Sequence, residues 1–173
     1  MSHFIVAQPE KCIGCYTCEV ACAVGHEGTP LLAARHYFPR LKVVKSAQIS
    51  VPVMCRQCEN APCVAACPVA ALYKGEQAIE TQSQRCINCK SCVIACPFGA
   101  IEIVGKNEAV PQIVKCDLCA GQQAGPACVR VCPTGALTLV TAGDLTRQQQ
   151  KQQRAAAKSQ LHAHIPEEVK THG

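Results

Sequence analysis

Aromatic side chains are scarce in this sequence, which has no tryptophan, three phenylalanines and three tyrosines among its 173 residues. A chain of this length ordinarily fills its core with large aromatic and aliphatic side chains. Cysteine supplies much of the apolar content instead, because sixteen residues are cysteine and the hydrophobic fraction that includes them is 49%. We therefore exclude an ordinary globular enzyme whose core consists of protein atoms alone.

Long apolar runs and a secretion leader are also lacking. No stretch approaches the ~18 uninterrupted apolar residues of a membrane helix, so no direct membrane span is expected. The residues before Cys12 contain neither a basic segment nor an apolar run, so we expect a cytoplasmic protein in a reducing compartment. Disulfides rarely persist there, and metal binding is the alternative use for so many thiols.

The sixteen cysteines fall into four groups of four, with none left over. In chain order, motif one is Cys12, Cys15, Cys18 and Cys22; motif two is Cys55, Cys58, Cys63 and Cys67; motif three is Cys86, Cys89, Cys92 and Cys96; motif four is Cys116, Cys119, Cys128 and Cys132. Motif three matches the bacterial run C-x2-C-x2-C-x3-C-P, which holds [4Fe–4S] clusters. Motif one lacks the proline, and motifs two and four have longer spacers before the third cysteine.

Three cysteines on one tight loop suit three irons of one cubane, and the fourth cysteine of such a run ligates the other cluster of a pair. Structural zinc usually has two C-x2-C pairs separated by a dozen or more residues, a pattern that only motif four imitates. Four [4Fe–4S] clusters are therefore predicted, with zinc as the alternative. A thiol–disulfide enzyme is disfavoured.

A repeated phrase follows the fourth cysteine of three motifs and leads into a strand signal each time. The copies are 68–72, 97–101 and 133–137. We predict strands over 100–104 and 136–140, with turns at 74–75, 105–107 and 142–143. Residues 40–45 and 48–53 predict two further strands, of a hairpin or an edge pair, with Pro52 near an end.

The segment 144–173 differs in composition, since it contains strong helix formers and few apolar residues. It predicts a helical or flexible tail in which Asp144 is the N-cap. Such a helix is marginal alone, so it either remains solvated or lies on a partner subunit.

The apoprotein has a formal charge of +5, which by itself favours an acidic partner. Four clusters of charge 2− each would bring the sum to about −3, and no basic run with interleaved aromatics occurs, so nucleic-acid binding is not expected. Six cations lie beside or within the motifs and either stabilise reduced clusters or face solvent: Lys11, Arg56, Arg85, Lys90, Lys115 and Arg130.

Substrate-binding signals are missing: there is no glycine-rich phosphate loop, no G-x-G-x-x-G and no C-x3-C-x2-C motif of a radical enzyme. All sixteen predicted ligands are used, which leaves no iron open for catalysis. The chain is thus predicted to be a non-catalytic one-electron relay. The alternatives are an accessory protein that delivers electrons or clusters transiently, and a self-sufficient iron–sulfur catalyst.

The stretch from Cys12 to Cys132 resembles the four-cluster ferredoxin-like electron-transfer subunits of molybdenum and tungsten oxidoreductases. The likeness rests on 11–22, on 55–63 and on 115–119 followed by 125–128. The nearest likeness is to the subunits that serve formate dehydrogenases, including formate hydrogenlyase and hydrogen-dependent CO2 reductase; subunits of tungsten aldehyde oxidoreductases are similar. A short gap between Cys96 and Cys116 and the lack of an anchor helix depart from some relatives.

The resemblance implies a molybdopterin or tungstopterin catalytic subunit as one partner. The other would be a redox subunit, either a hydrogenase or an NAD-linked flavoprotein, or copies of the chain itself, since some relatives form filaments. Substrate, acceptor and direction of electron flow are not implied.

The resemblance also implies an α+β fold of two ferredoxin-like modules, each holding two [4Fe–4S] clusters, with short helices, β-hairpins and a C-terminal helical tail. Residues 1–54 and 98–143 would form the outer module, 55–97 the inner module and 144–173 the tail. The implied ligand sets are Cys12, Cys15, Cys18 and Cys132; Cys22, Cys116, Cys119 and Cys128; Cys55, Cys58, Cys63 and Cys96; and Cys67, Cys86, Cys89 and Cys92.

Overall fold

The computed structural model describes residues 3–27, 37–107 and 110–160. Eight strands are present in these ranges: Phe4–Ala7 (β1), Leu41–Lys45 (β2), Ser50–Met54 (β3), Leu72–Lys74 (β4), Ile79–Thr81 (β5), Ile101–Asn107 (β6), Val110–Lys115 (β7) and Leu137–Val140 (β8). Five α-helices accompany them: Thr17–Glu27 (α1), Pro62–Ala65 (α2), Ser91–Ala95 (α3), Ala127–Val131 (α4) and Ala142–Gln160 (α5).

The strands form four separate two-stranded antiparallel sheets. Three are local hairpins, β2–β3, β4–β5 and β6–β7, while the fourth pairs β1 with β8. In that sheet Phe4 lies opposite Val140 and Ala7 opposite Leu137. The pairing brings the start of the chain, with motif one, beside the strand that follows motif four.

The strands expected after motifs three and four are confirmed as β6 and β8, and the turn at Gly75 is closed by its N–H donating to Ala78 O at 2.8 Å. The turn expected at 105–107 is wrong, because β6 continues to Asn107 with an irregular register after Gly105. A bulge lets the strand pass this glycine without ending.

The hairpin expected before motif two is confirmed as β2 and β3, but Pro52 lies in the middle of β3, opposite Val43. Proline has no N–H to donate to a neighbouring strand, so it is confined to edge positions in sheets. In a sheet of two strands both strands are edges, which explains why a central position is tolerated.

Proline also sets the lengths of the helices beside the motifs. Cys96–Pro97 follows α3 and Cys132–Pro133 follows α4, and both helices end one residue before the cysteine. The residue before a proline is excluded from helical conformation by steric clash with the ring. Motif one has no proline after Cys22, and α1 accordingly continues to Glu27, eleven residues in all.

Thiols occupy much of the interior. Eight cysteines are buried, six are half-buried, and Cys15 and Cys89 are exposed. The buried residues form two clusters, one around Ile5, Leu41 and Leu137 and the other around Leu72 and Ile101. Cysteines and aliphatic side chains therefore share both buried clusters.

Residues from Thr141 onward form a separate unit that contains α5. Thr141 caps this helix: its Oγ1 accepts the Asp144 N–H at 3.3 Å, and the Asp144 carboxylate accepts the Thr141 N–H at 2.9 Å. This reciprocal pair is a capping box. Asp144 is thus the third helical residue and not the predicted N-cap, and Ala142 and Gly143 belong to the helix instead of a turn. Residues 161–173 of the predicted tail lie outside the described residues.

No helix within the described ranges is long and apolar enough to cross a membrane.

Gly14, in the loop of motif one, has a φ of +64°, and a Cβ there would lie 2.6 Å from Lys45 Cε and 2.8 Å from Ser50 Oγ. Gly99 has a similar φ of +59° with nothing within 4 Å. We expect Gly99→Ala to cost only the left-handed conformation, about 1 kcal/mol, and Gly14→Ala to cost more because the Lys45 and Ser50 side chains must also shift. Anaerobic thermal unfolding of both variants measures the difference, and equal midpoints would contradict it.

Candidate iron–sulfur cluster sites

The first three cysteines of each motif lie on a loop that turns sharply two residues after the first cysteine. The residue at that place has a positive φ in all four motifs: Gly14 (64°), Gln57 (51°), Asn88 (57°) and Leu118 (61°). In motifs two and three its N–H then points at the first thiol, with Gln57 N and Asn88 N each 3.4 Å from the Sγ of the cysteine two residues before. Three of these residues are not glycine, and such strain persists only where the surroundings require that shape.

The fourth cysteine of motifs two, three and four receives a backbone N–H from the residue four positions later. The donors are Ala71, Ala100 and Ala136, at 3.2, 3.5 and 3.2 Å from the sulfur. The residue before each donor is again left-handed: Ala70, Gly99 and Gly135. The repeated phrase after each Cys-Pro is therefore a device that aims one amide at a sulfur, and such hydrogen bonds stabilise a thiolate.

Cys132 illustrates the consequence for acidity. Its burial acts to raise the thiol pKa, but the Thr134 hydroxyl and the Ala136 N–H outweigh this, and the pKa of Cys132 lies below its ordinary value. Thiolates, and not thiols, are the form that binds metal.

In motif one, other groups contact the sulfur of the fourth cysteine, because α1 continues past Cys22. The backbone N–H of Arg40, eighteen residues later, donates to Cys22 Sγ at 3.3 Å. His26, one helical turn after Cys22, has Nδ1 2.8 Å from Cys22 O and 3.7 Å from its Sγ. The long helix thus replaces the missing amide with a distant amide and an imidazole.

An ion-pair network holds this arrangement against motif four. Asp117 Oδ1 lies 3.1 Å from His26 Nε2, and Asp117 Oδ2 lies 2.5 Å from Arg40 Nη1. Burial acts to lower the His26 pKa, yet hydrogen bonds to Asp117, Cys119 and Cys22 raise it to about 12, so the ring is a cation at neutral pH. Burial acts to raise the Asp117 pKa, and His26 and Arg40 hold it well below its usual range.

Sequence reasoning missed all three residues of this network. The available signal was the absence of proline after Cys22, which leaves that thiol without the amide the other motifs supply. His26 lies four residues after Cys22, one helical turn along the same face.

The structure brings the thiols of motifs two and three together. Burial chiefly raises the Cys63 pKa, and the nearby Cys55 and Cys96 raise it further. Burial raises the Cys92 pKa in the same way, with added repulsion from Cys67 and Cys86. Cys58 packs against the same core. In each of these neighbourhoods the last cysteine of one motif meets the first cysteines of the other.

The thiols of motifs one and four meet in the same manner. Burial raises the Cys128 pKa above its ordinary value, and Cys116, Cys22 and Cys119 add to the rise. Burial raises the Cys18 pKa to about 11, with a contribution from Cys15, and Cys15 is also in the field of Cys132. Cys12 is half-buried, and no interaction places it with particular thiols.

Most of these buried thiols have raised pKa values, so they would remain protonated without a compensating positive charge. Iron supplies that charge, because a coordinating thiol is deprotonated outright. A single ion is a poorer fit, since no three His, Cys, Asp or Glu side chains among the described residues converge on one ion position. Thiols that surround a volume while amides point at their sulfurs fit a cluster with several irons.

Two thiols remain at the surface, and they belong to motifs one and three. Cys15 receives the Thr17 hydroxyl at 3.3 Å, which lowers its thiol pKa, and Ser91 has the same effect on Cys89. Large apolar side chains lie exposed in both loops, Ile13 at 66% and Ile87 at 61% of their surface. Both sites thus reach the surface within an apolar rim.

Comparison with known proteins agrees with this chemistry. The chain matches the 4Fe-4S dicluster domain family over residues 47–142 and a 4Fe-4S binding domain over residues 9–25. It is 40% identical over 172 residues to Electron transport protein HydN of Escherichia coli K12, covering 91% of this chain and 98% of HydN.

Two further relatives come from the same strain. Formate hydrogenlyase subunit 2 is 39% identical over 178 residues, covering 85% of this chain and 86% of that protein. AegA is 45% identical over 148 residues, which cover 82% of this chain, but the chain spans only 22% of the length of AegA.

The Asp117 network generates a stability prediction. Asp117→Asn leaves His26 and Arg40 without their counter-charge, and we expect a loss of about 2 kcal/mol, less than for a fully buried pair because a quarter of the Asp117 side chain is exposed. The matched control is Arg147→Gln, which removes the ion pair with Asp144; because the Arg147 side chain is mostly exposed, that pair contributes little. Anaerobic thermal unfolding and the rate of iron release to a chelator are the measurements. The prediction fails if Asp117→Asn matches the control in both.

Proposed function

The chain belongs to the 4Fe-4S dicluster family and has an iron–sulfur electron-transfer role, and from this premise we propose that it is a four-cluster relay subunit. One partner is a molybdopterin or tungstopterin catalytic subunit, of the formate dehydrogenase or aldehyde oxidoreductase type. The other is a redox subunit, a hydrogenase or an NAD-linked flavoprotein, or further copies of the chain in a filament. The name of the relative Formate hydrogenlyase subunit 2 supports the formate assignment.

The observation that carries this proposal is the distribution of thiol exposure. Only Cys15 and Cys89 are exposed among the sixteen, and they belong to different motif pairs. A carrier that exchanges electrons with one partner at a time needs one exposed site. Two exposed sites, one in each motif pair, suit a conductor that contacts a different partner at each site.

The chain's own residues would hold and insulate the clusters. Each bound [4Fe–4S] cluster accepts and releases one electron, and the environment sets its potential. The left-handed loops and the amides directed at sulfur fix the thiols, so little rearrangement is needed when charge changes. The exposed Ile13 and Ile87 can exclude water at the points of transfer when a partner covers them.

The proposed ligand sets are those that the resemblance to four-cluster subunits implies, and part of each set is supported by thiols that act on one another. One cluster takes Cys12, Cys15, Cys18 and Cys132, and a second takes Cys22, Cys116, Cys119 and Cys128. A third takes Cys55, Cys58, Cys63 and Cys96, and the fourth takes Cys67, Cys86, Cys89 and Cys92. The mutual repulsion of the thiols within these sets supports the assignment.

A nested organisation is proposed from the same contacts. Residues 55–97 would form the inner module, in which α2 packs against α3, and residues 1–54 with 98–143 would form the outer module around it. The β1–β8 sheet and the packing of α1 on α4 support the outer module, since both join the part of the chain that contains motif one to the part that contains motif four. Residues 144–173 would be an appended tail.

The ligand sets can be tested by combining substitutions. Cys22→Ala should alter the spectrum of one cluster, and adding Cys116→Ala should alter no further cluster because both thiols serve the same one. Adding Cys15→Ala instead should alter a second cluster. Mössbauer and EPR spectra of the full chain count the affected clusters, and the opposite pattern would reverse the proposed pairing.

The relay role can be tested by anaerobic purification from the native host. We expect the chain to remain bound to a larger pterin-containing protein, with molybdenum or tungsten present in proportion to the chain. Addition of that enzyme's substrate should then reduce the chain's clusters. Isolation of the chain alone, with only transient association, would favour the accessory alternative instead.

A further inference from the structure

Lys115 differs from the other cations beside the motifs. Five of the six singled out from the sequence are exposed: Lys11, Arg56, Arg85, Lys90 and Arg130. Lys115 is 1% exposed and is among the largest fully buried side chains. Its Nζ donates to Cys116 O at 2.7 Å and to Ile79 O at 2.9 Å.

Among the residues that the structure describes, this buried ammonium has no carboxylate partner. The ion pairs that join described residues are formed by His26, Arg40, Arg147 and their aspartates, and none includes Lys115. A charge buried without an opposite charge is strongly disfavoured. The two carbonyl oxygens offer partial negative charge only, so a full compensating charge must come from elsewhere.

Cluster-bound thiolates would provide that charge on two sides, because iron deprotonates a coordinating thiol. Lys115 directly precedes Cys116 and binds its carbonyl oxygen, and on the other side its positive charge opposes the rise that burial causes in the pKa of Cys63. Cys63 belongs to motif two and Cys116 to motif four. Lys115 therefore acts on thiols from both of the proposed modules.

Gln57 completes the junction. Its side chain, 2% exposed, donates through Nε2 to Cys116 O at 2.9 Å, and its Oε1 accepts the Ile79 N–H at 2.9 Å. Gln57, in the motif two loop, and Lys115, directly before the motif four loop, thus bind the same two residues, Ile79 and Cys116. This buried polar network lies where the two loops meet, and Lys115 is its charged member.

We propose that Lys115 tunes electron transfer: its positive charge raises the reduction potentials of the two clusters held by the motif two and motif four loops. The inference rests on the proposed function, because it needs those clusters. Reduction adds one negative charge to a cluster, and a fixed positive charge in a poorly solvated interior stabilises the reduced form. These two sites would otherwise be the hardest to reduce, since most of their thiols are buried. The cation raises their reduction potentials toward those of the two clusters whose loops carry the exposed Cys15 and Cys89.

The test is a redox titration of the full chain followed by EPR. In Lys115→Gln and Lys115→Met, we expect the reduced-to-oxidised ratio of two clusters at a fixed potential to fall about tenfold, a shift of about 59 mV for one electron. The other two clusters should be unchanged. Lys115→Arg keeps the charge and should restore the original ratio.

The matched control is Lys11→Met. Lys11 precedes Cys12 as Lys115 precedes Cys116, but it is exposed, so water screens its charge and no potential should change.

Unchanged potentials in the neutral variants, or an equal shift in Lys11→Met, would overturn the proposal. Failure of both neutral variants to hold as much iron as the wild type would also overturn it, since Lys115 would then be needed for assembly. Failure of the proposed function is distinguishable, because the wild-type chain itself would then lack four clusters.

Discussion

Bonds between cysteine sulfur and iron are the interaction on which the rest of this structure depends. Eight buried thiols occupy positions that aromatic and aliphatic side chains fill in other chains of this size. Burial raises the pKa of most of these thiols, so without iron the interior contains protonated sulfur. Iron changes this interior, because it deprotonates the thiols and fills the space between them.

The secondary structure serves these bonds. No sheet among the described residues has more than two strands, and an isolated two-stranded hairpin is only marginally stable in water. The hairpins link the loops and shield them, and the left-handed residues and directed amides of the loops determine where each sulfur lies. Motif one is the exception, because it has no proline after Cys22. There the Arg40 N–H and the His26 ring, which is paired with Asp117, approach the Cys22 sulfur in place of the amide that the other motifs use.

The sequence was sufficient for features that depend on local spacing. The four motifs, the hairpin before motif two and the strands after motifs three and four are all readable because proline, glycine and cysteine act within a few residues. Features set by distant contacts were not readable. Arg40 reaches Cys22 across eighteen residues, Asp117 meets His26 across ninety-one, and Lys115 binds the Ile79 carbonyl across thirty-six. Pro52 was misplaced because the ends of β3 follow from its pairing with β2, and Asp144 because the capping partner Thr141 follows from cap geometry; propensity specifies neither.

The most direct test of the central claim is amide hydrogen exchange of the full chain with and without iron, both without oxygen. If clusters replace the core, removal of iron by a chelator should abolish protection throughout β1–β8, and restoring iron and sulfide should recover it. An iron-free chain that retains protected amides in these strands would contradict the account, because the polypeptide would then fold around a core of its own.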